Sequence, residues 1–423
     1  MKKVGVAIIG LGVVGGGTCN IIRERRENIK EEYGVDIEIV AVLNRNPQKA
    51  IDLGLDESLI AANIDEIVDN QKVDIVVECI GGMEPAKSYV AKALQAGKSI
   101  VTANKEMFAK SWQELENIAA KTGAGLYYEA TTGGGMPIIR TMTQAMQANN
   151  ILEIKAIING TTNYILTRMT EENADYGDVL RDAQDLGYAE ANPIADVEGY
   201  DSSYKLSILA SLAFNKRVPI DLIYREGITK ITKEDIRIGK ELGYVVKLLA
   251  IAKQKQGKIE ARVHPVFLKK EHPLASVSGS FNAVFLVGDA VGDIMLYGRG
   301  AGSLPTGSAI VSDIVFCARQ DTHARYSEMN NVMTKKEVLT DFESKYYIRL
   351  NARDVPGVVA DIATVFKKYE VSIAQMRQDQ SKEIIPIVFV THITTENAVK
   401  KAVEEISKLS NIISVENIIR VEN

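Results

Sequence analysis

Short runs of β-branched and aliphatic residues recur through the first 130 positions: VGVAIIG (4–10), IEIVAVL (37–43), VDIVVECIG (73–81), KSIVTAN (98–104) and AGLYYEA (124–130). Each reads as a buried strand. Between them KSYVAKALQAG and SWQELENIAAKTG space their apolar residues by three and four, and each ends on a glycine suited to capping a helix. Strands alternating with helices predict a parallel, doubly wound sheet, an α/β Rossmann-type domain over 1–130. The rhythm then changes. From 131 to 320 the pattern predicts longer helices at 163–186, 201–214 and 232–254, with strands at ILEIKAIING (151–160) and ARVHPVFL (261–268). A second, α+β domain on a mixed sheet is the expectation. Within it GRGAGSLPTGSAIVSDIVFCARQ (298–320) is a glycine-rich loop feeding a helix that returns to pack on the first domain. Residues 321–344 are polar and read as a connector. Beyond them YYIRLNA, a helix at 357–369, VSIAQMRQ, IPIVFVTHI, a helix at 395–409 and ISVENIIRV give β-α-β-β-α-β, a ferredoxin-like module over 345–423. It carries no acid–base constellation, so binding or assembly is its expected role.

The 423 residues suffice for two to three domains with full cores. At 46% hydrophobic and 25% charged, the composition is that of a soluble globular chain. A net charge of -5 and a pI near 5.7, with lysines and arginines spread out, argue against nucleic acid or an anionic membrane as the main partner. The opening MKKVGVAIIGLGVVGG sets two lysines before an apolar run, as a signal peptide does, yet its glycines and the charged helix behind it favour a strand and a turn. No apolar window of about 18 residues suggests a membrane span. Cys19, Cys79 and Cys317 sit in apolar settings that suit reduced cytoplasmic thiols better than a disulfide framework. His264, His272, His323 and His392 are isolated, without the spacing of transition-metal ligands.

GLGVVG, running Gly10, Leu11, Gly12, Val13, Val14, Gly15, follows the first strand and opens a helix. In that context the glycines let the backbone approach a pyrophosphate at the helix N-terminus. Dinucleotide binding is the expectation, and a tight turn without a ligand is the alternative. An NAD site would place an acidic side chain at the end of the second strand, where this chain has Leu43, Asn44, Arg45, Asn46 and Pro47. A carboxylate would repel a 2′-phosphate and Arg45 can pair with one, so NADP(H) is the preferred cofactor and NAD(H) the alternative. VTANKE ends another strand and sets Thr102 and Lys105 at the carboxyl edge of the sheet, where ligands of such folds collect. In ADVEGYDSSYKLSILASLAF (195–214), Asp201 and Lys205 stand four apart and share a helix face. A surface ion pair is the default for that spacing. Here Leu206, Ile208, Leu209, Leu212 and Phe214 bury the helix on most sides. The electropositive first turn also disfavours a second cation and lowers a lysine pKa. Lys205 is therefore the candidate proton exchanger, with Asp196, Glu198 and Asp201 available to a polar ligand.

In order and spacing, GLGVVG, ECIGG, TANKE, YYEATTGGGMPII, NGTTNYIL, LGYAEANPIADVEGYDSSYKLSILA and GRGAGSLPTGSAIVSDI resemble the homoserine dehydrogenase family from residue 1 to about 320. YYIRLNARDVPGVVADIATVF resembles an ACT domain, a regulatory module that commonly binds amino acids. The resemblance implies NAD(P)H-dependent interconversion of L-aspartate 4-semialdehyde and L-homoserine, on the route to threonine and methionine. It makes 1–130 the NAD(P)-binding domain, 131–320 the substrate-binding and dimerisation domain, and 345–423 the regulatory domain. By the same token Lys205 matches the proton donor to the aldehyde oxygen and Lys105 a second lysine at the cofactor and substrate. Glu190 matches the carboxylate that holds the substrate ammonium, while Asp196 and Asp201 fall at substrate-site aspartates. Gly187 and Gly302 match backbone contacts to the nucleotide. Glu129, Thr132, Gly134 and Met136 fall where main-chain carbonyls bind a monovalent cation, usually sodium, with Thr132 replacing a common valine.

In the tail, Asp354, Pro356 and Gly357 occupy a strand-to-helix turn whose free amides can receive an amino-acid carboxylate. Threonine is the effector that the resemblance suggests, and a homodimer or homotetramer the assembly. Two other readings stay open. Another NAD(P)-dependent amino-acid dehydrogenase would turn over a different oxo-acid, and a non-catalytic sensor would bind NADPH and threonine without turnover.

Overall fold

The computed structural model describes residues 1–255, 257–320, 329, 331–378 and 383–422. Residues 321–328 and 330 of the expected connector, His323 among them, lie outside the described residues. In chain order the strands are β1 (Lys2–Ile9), β2 (Val35–Leu43), β3 (Ile75–Glu78), β4 (Ser99–Thr102), β5 (Leu126–Tyr127), β6 (Ile151–Ile157), β7 (Tyr224–Arg225) and β8 (Tyr244–Lys255). There follow β9 (Lys258–Lys269), β10 (Phe281–Gly288), β11 (Gly292–Arg299), β12 (Glu343–Arg353), β13 (Ile373–Gln378), β14 (Ile384–Thr391), β15 (Thr394–Thr395) and β16 (Ile412–Glu422). The chain divides into two compact units: Met1–Gly160 with Asp201–Ile223 and Phe281–Lys335, and Thr161–Tyr200 with Tyr224–Ser280 and Lys336–Asn423.

In the first unit five parallel strands run in the order β2-β1-β3-β4-β5. Successive residues of one strand face opposite sides, and here both sides are covered. Ala7, Ile9, Val76 and Ile100 join a core with Phe108, Trp112 and Leu115, while Val6, Ile8, Val77 and Val101 join another with Ile22, Ile310 and Ile314. Burial on both faces is why these strands read as continuous apolar runs. Helix Ser303–Arg319 supplies Ile310 and Ile314, so it does return to the first domain as its sequence suggested. It meets helix Val13–Tyr33 backbone to backbone: a Cβ on Gly17 would lie 2.4 Å from the Ser303 carbonyl oxygen. A three-stranded antiparallel layer, β6-β10-β11, completes this unit's sheets. The described end of the connector is strapped down. Arg217, buried over the Trp112 ring, donates 3.1 Å to the Met329 carbonyl and pairs with Glu116.

The second unit carries one mixed sheet in the order β8-β9-β16-β12-β14-β13, with β7 also on β9. Its C-terminal part is the expected β-α-β-β-α-β module, with helices Val358–Lys368 and Glu396–Ile406 and the two-residue β15 added before the second helix. Buried arginines tie that module to the strands before it. Arg349 donates 2.7 Å to Asp235, Arg420 donates 2.9 Å to Glu226, and Arg262 donates 2.5 Å to Glu422.

Two local expectations are corrected. The helix expected over 232–254 stops at Glu241, and Tyr244–Lys255 is strand β8. Gly243, at φ 87°, breaks the helix, and the run YVVKLLAIA gains a full antiparallel ladder with β9. The helix expected over 163–186 is two, Gly160–Glu172 and Tyr176–Asp185, parted at Asn173 with φ 52°. The hairpin β10–β11 was not anticipated. Among the described residues no helix is long and apolar enough to cross a membrane. Replacing Gly17 by Val should force the two packed helices apart and lower stability by about 1–3 kcal/mol, measured as a drop in Tm and in denaturant midpoint.

Candidate active site

Three elements of the first unit meet at one carboxylate. Helix Tyr200–Phe214 places Asp201 and Lys205 one turn apart on its buried side. The Lys205 ammonium donates 2.7 Å to Asp201 Oδ2 and 2.6 Å to the Ile158 carbonyl, just past the end of β6. Asn159 Nδ2 donates 2.9 Å to the same Oδ2. Lys105, first residue of helix Lys105–Thr122, approaches Oδ1 at 3.1 Å. The Lys205 and Asp201 side chains are only 9% and 8% exposed, against 42% for Lys105. The pair is therefore no ordinary surface bridge. Burial pushes the Asp201 carboxyl upward, but the Lys205 and Lys105 ammoniums, with hydrogen bonds from Lys205 and Asn159, outweigh it and hold the group below the usual carboxylate range.

Lys105 is aimed by its neighbours. Asn104 caps the helix by accepting from the Met107 amide at 3.1 Å, and its Nδ2 donates 2.7 Å to the Gly82 carbonyl. Thr102 is fully buried, its hydroxyl donating 2.6 Å to Glu78, whose other oxygen accepts 2.7 Å from the Ile80 amide. The Thr102 side chain thus locks the ends of β3 and β4 together.

At the carboxyl ends of β1, β2 and β3 lies a cavity of about 850 Å³, lined among others by Gly10, Gly12, Asn44, Arg45, Lys49 and Gly81. Two glycines of the turn are sterically required, while a Cβ on Gly12 would meet open space. Gly10 has φ 94°, and a Cβ on Gly15 would sit 1.9 Å from the Gly10 carbonyl oxygen. Gly12, which opens helix Val13–Tyr33, provides no side-chain cap, so nothing covers the first-turn amides of Val13, Val14 and Gly15 from a side chain at that position. The Leu11 amide is already engaged, donating 3.0 Å to Asn44 Oδ1. The cavity's size and its open helix start fit a dinucleotide, and Arg45 and Lys49 put two cations on its lining.

The glycine-rich turn after β5 is also buried. Glu129 spends its carboxylate on the Ile139 and Arg140 amides, at 2.8 and 2.9 Å, which leaves its carbonyl for any other task. Gly134 has φ 56°, and a Cβ there would meet Gly300 at 2.5 Å. The Thr132 hydroxyl is buried without a hydrogen-bond partner among the described residues, and Met136 is buried. Burial and the Asp313 carboxylate push Glu129 up to about 7, with Arg140 paired to Asp313. Two carboxylates, Glu129 and Asp313, thus face one guanidinium beside an orphaned Thr132 hydroxyl, an excess of negative charge and oxygen that a hard cation would offset, although the Met136 carbonyl already accepts 2.9 Å from the Ile138 amide. Gly302 begins helix Ser303–Arg319 at φ 122°.

The remaining expected residues belong to the second unit. Gly187, at φ 76°, ends helix Tyr176–Asp185. Glu190 is exposed, with its carbonyl accepting 3.1 Å from Gln184, and Asp196 is half-buried in the short helix Ile194–Val197. Asp354 and Pro356 are exposed, and Gly357, at φ 96°, begins helix Val358–Lys368 without a side-chain cap. Sequence reasoning had not singled out Glu78, Lys49, Asn104, Ile158 or Asn159. Glu78, Lys49, Asn104 and Asn159 lie in or beside motifs that were recognised as wholes, and the Ile158 carbonyl leaves no trace in residue type.

Family models place this arrangement. The model described as homoserine dehydrogenase, NAD binding domain, matches residues 10–129, that of homoserine dehydrogenase residues 137–315, and that of the ACT domain residues 346–411. The homoserine dehydrogenase of Mycobacterium tuberculosis is 40% identical over 434 residues, covering 100% of this chain and 98% of that protein. The crystal structure of a homoserine dehydrogenase from Thiobacillus denitrificans superposes with a TM-score of 0.93 at 39% identity, covering 100% of this chain and 99% of that one. A hyperthermophilic archaeal homoserine dehydrogenase in complex with NADPH matches at a TM-score of 0.64 and 29% identity, over 76% of this chain and 100% of that one. With all three models in register and relatives aligned end to end, the chain belongs to the homoserine dehydrogenase family, NAD(P)-dependent oxidoreductases, in the form that carries a C-terminal ACT domain.

Proposed function

We propose that the chain reduces L-aspartate 4-semialdehyde to L-homoserine, reversibly, with Lys205 as the proton donor. The observation that carries this reading is the buried Lys205 ammonium held between Asp201 and the Ile158 carbonyl. A reduced nicotinamide, when bound, supplies a hydride to the aldehyde carbon. Negative charge then grows on the aldehyde oxygen, and an ammonium out of bulk water stabilises it strongly and hands over a proton. Asp201 keeps that ammonium in place. Lys105, sharing the carboxylate from the solvent side, keeps Asp201 ionised. Glu190 and Asp196 are the carboxylates offered to the substrate ammonium.

NADP(H) is the preferred cofactor, with NAD(H) the alternative. Supporting this, Asn44 stands where an acidic side chain would repel a 2′-phosphate, and Arg45 and Lys49 line the same cavity. The Gly10 to Gly15 turn receives the pyrophosphate, with backbone contacts from Gly187 and Gly302. Sodium binds through the carbonyls of Glu129, Thr132, Gly134 and Met136. The segments 1–130, 131–320 and 345–423 act as cofactor, substrate and regulatory parts, in a cytoplasmic homodimer or homotetramer. Met295 and Tyr297, exposed two residues apart on one face of β11, suit such pairing. Threonine binds at the Asp354, Pro356 and Gly357 turn as feedback inhibitor.

Lys205→Ala should cut turnover by about two to four orders of magnitude, about 3–5 kcal/mol of barrier, while NADPH still binds in a fluorescence titration. Unchanged turnover would remove Lys205 from the mechanism. Arg45→Ala should raise the Kd for NADPH by about tenfold and that for NADH far less; equal losses would mean that Arg45 does not read the phosphate. Asp354→Ala should relieve threonine inhibition in a 340 nm assay without changing uninhibited KM, and inhibition that persists would relocate the effector.

A further inference from the structure

β8 pairs with β9 along its whole length, from Tyr244 opposite Lys269 to Lys255 opposite Lys258. Any other partner of β9 must use the opposite edge. Among the described residues, β7 takes that edge at Arg262 and Val263, and β16 takes it at Val266, Phe267 and Leu268. Between the two stretches stands Pro265, which has no N–H to extend either ladder. The strands part there. The gap is a cavity of about 460 Å³ between the segment after β7, Glu198 and β16 residues Val415–Ile419. That is within the range of small-molecule sites.

Its walls are rigid and its charges are of both signs. Asn417 joins the two sides, its Nδ2 donating 3.0 Å to the Lys230 carbonyl and 2.9 Å to Asp235 while its Oδ1 accepts 3.0 Å from the Ile418 amide. Arg225 is fixed 3.4 Å from the Tyr200 ring centroid, with Nη1 donating 2.6 Å to the Glu198 carbonyl. Its other N–H groups make no hydrogen bond among the described residues, nor does the Lys230 ammonium. Glu198 accepts 3.0 Å from Thr229; Glu416 Oε1 accepts 2.8 Å from Asn351 and also from Ser414, while its Oε2 lies 3.9 Å from Arg349, beyond hydrogen-bond range, so both carboxylates keep acceptor capacity. Glu226, by contrast, is already neutralised by Arg420.

We propose that this gap is a second small-molecule site, distinct from the turn at residues 354–357, and that it takes a free α-amino acid as its zwitterion. Arg225 and Lys230 meet the carboxylate, and Glu198 and Glu416 meet the ammonium. Glu198 and Tyr200 directly precede Asp201 in the chain, so an occupant grips the segment that leads into the Lys205 helix.

The test is calorimetric titration of the full-length protein with L-threonine, L-methionine and L-isoleucine, each beside its N-acetyl and carboxamide derivatives. At least one free amino acid should bind, and its two derivatives, each lacking one charge, should not. Lys230→Met and Glu416→Gln should each weaken that binding by more than about tenfold, with Tm confirming that both variants fold, and Asp354→Ala should leave it within about twofold. Three results would overturn the proposal: no binding by any free amino acid, equal binding by the blocked derivatives, or binding abolished by Asp354→Ala yet indifferent to Lys230→Met and Glu416→Gln. Because the readout is heat of binding, it is independent of whether the chain reduces aspartate semialdehyde.

Discussion

An ammonium removed from water needs a counter-charge, and in this chain one carboxylate serves two lysines. Asp201 takes Lys205 on one oxygen and Lys105 on the other, and Asn159 adds a third donor. Removing one partner of a buried pair costs about 3–5 kcal/mol because the other is left uncompensated. The three donors arise at distant points in the chain: the start of a helix after β4, the residues after β6, and the helix that carries Asp201 itself. Satisfying one carboxylate therefore sets the mutual placement of all three. Residues that never approach a substrate become necessary for this, among them Asn104, which caps the Lys105 helix, and Glu78, which ties Thr102 to the Ile80 turn.

The C-terminal module obeys the same rule with the signs exchanged. Arg349, Arg420 and Arg262 are buried, and each finds a carboxylate on the other side of the boundary between the module and the segments before it, while Arg420 also pairs with Glu396 and Arg262 with Glu260 on their own side. A ferredoxin-like module tethered by a connector alone would fold as a separate body, with its charges in water. Here truncation at residue 345 would take Arg349 from Asp235 and Glu422 from Arg262, so the module is a component of the second unit's core. β9 makes this physical, since one of its edges accepts β7 and then β16, and the proline between them leaves room for a ligand.

Much of the fold was legible from the chain. The five parallel strands, their glycine-capped helices and the β-α-β-β-α-β tail all follow from local periodicity, because burial on two faces, on one stripe, or on alternate residues leaves different hydrophobic patterns. Legibility failed where one pattern serves two structures. YVVKLLAIAKQK is apolar enough for a buried helix, and only a partner strand makes it β8. The hairpin β10–β11 escaped prediction because β11 alternates in burial but not in sequence, its run IMLY being apolar without a break.

The candidate site divides in the same way. Sequence alone determined which residue types could bear the chemistry: a glycine turn that must approach a phosphate, an Asp–Lys pair four apart on an apolar helix, and the absence of an acid beside Arg45. These are properties of neighbours in the chain, where geometry is set by helix pitch and backbone sterics. Tertiary structure decided that the Asp–Lys pair is buried, that Lys105 joins it, that a main-chain carbonyl completes the ammonium's shell, and that the tail's arginines close on distant carboxylates. Those outcomes depend on contacts between segments tens to hundreds of residues apart, whose energies come from desolvation and pairing, and no local pattern of residues encodes which charge will face which.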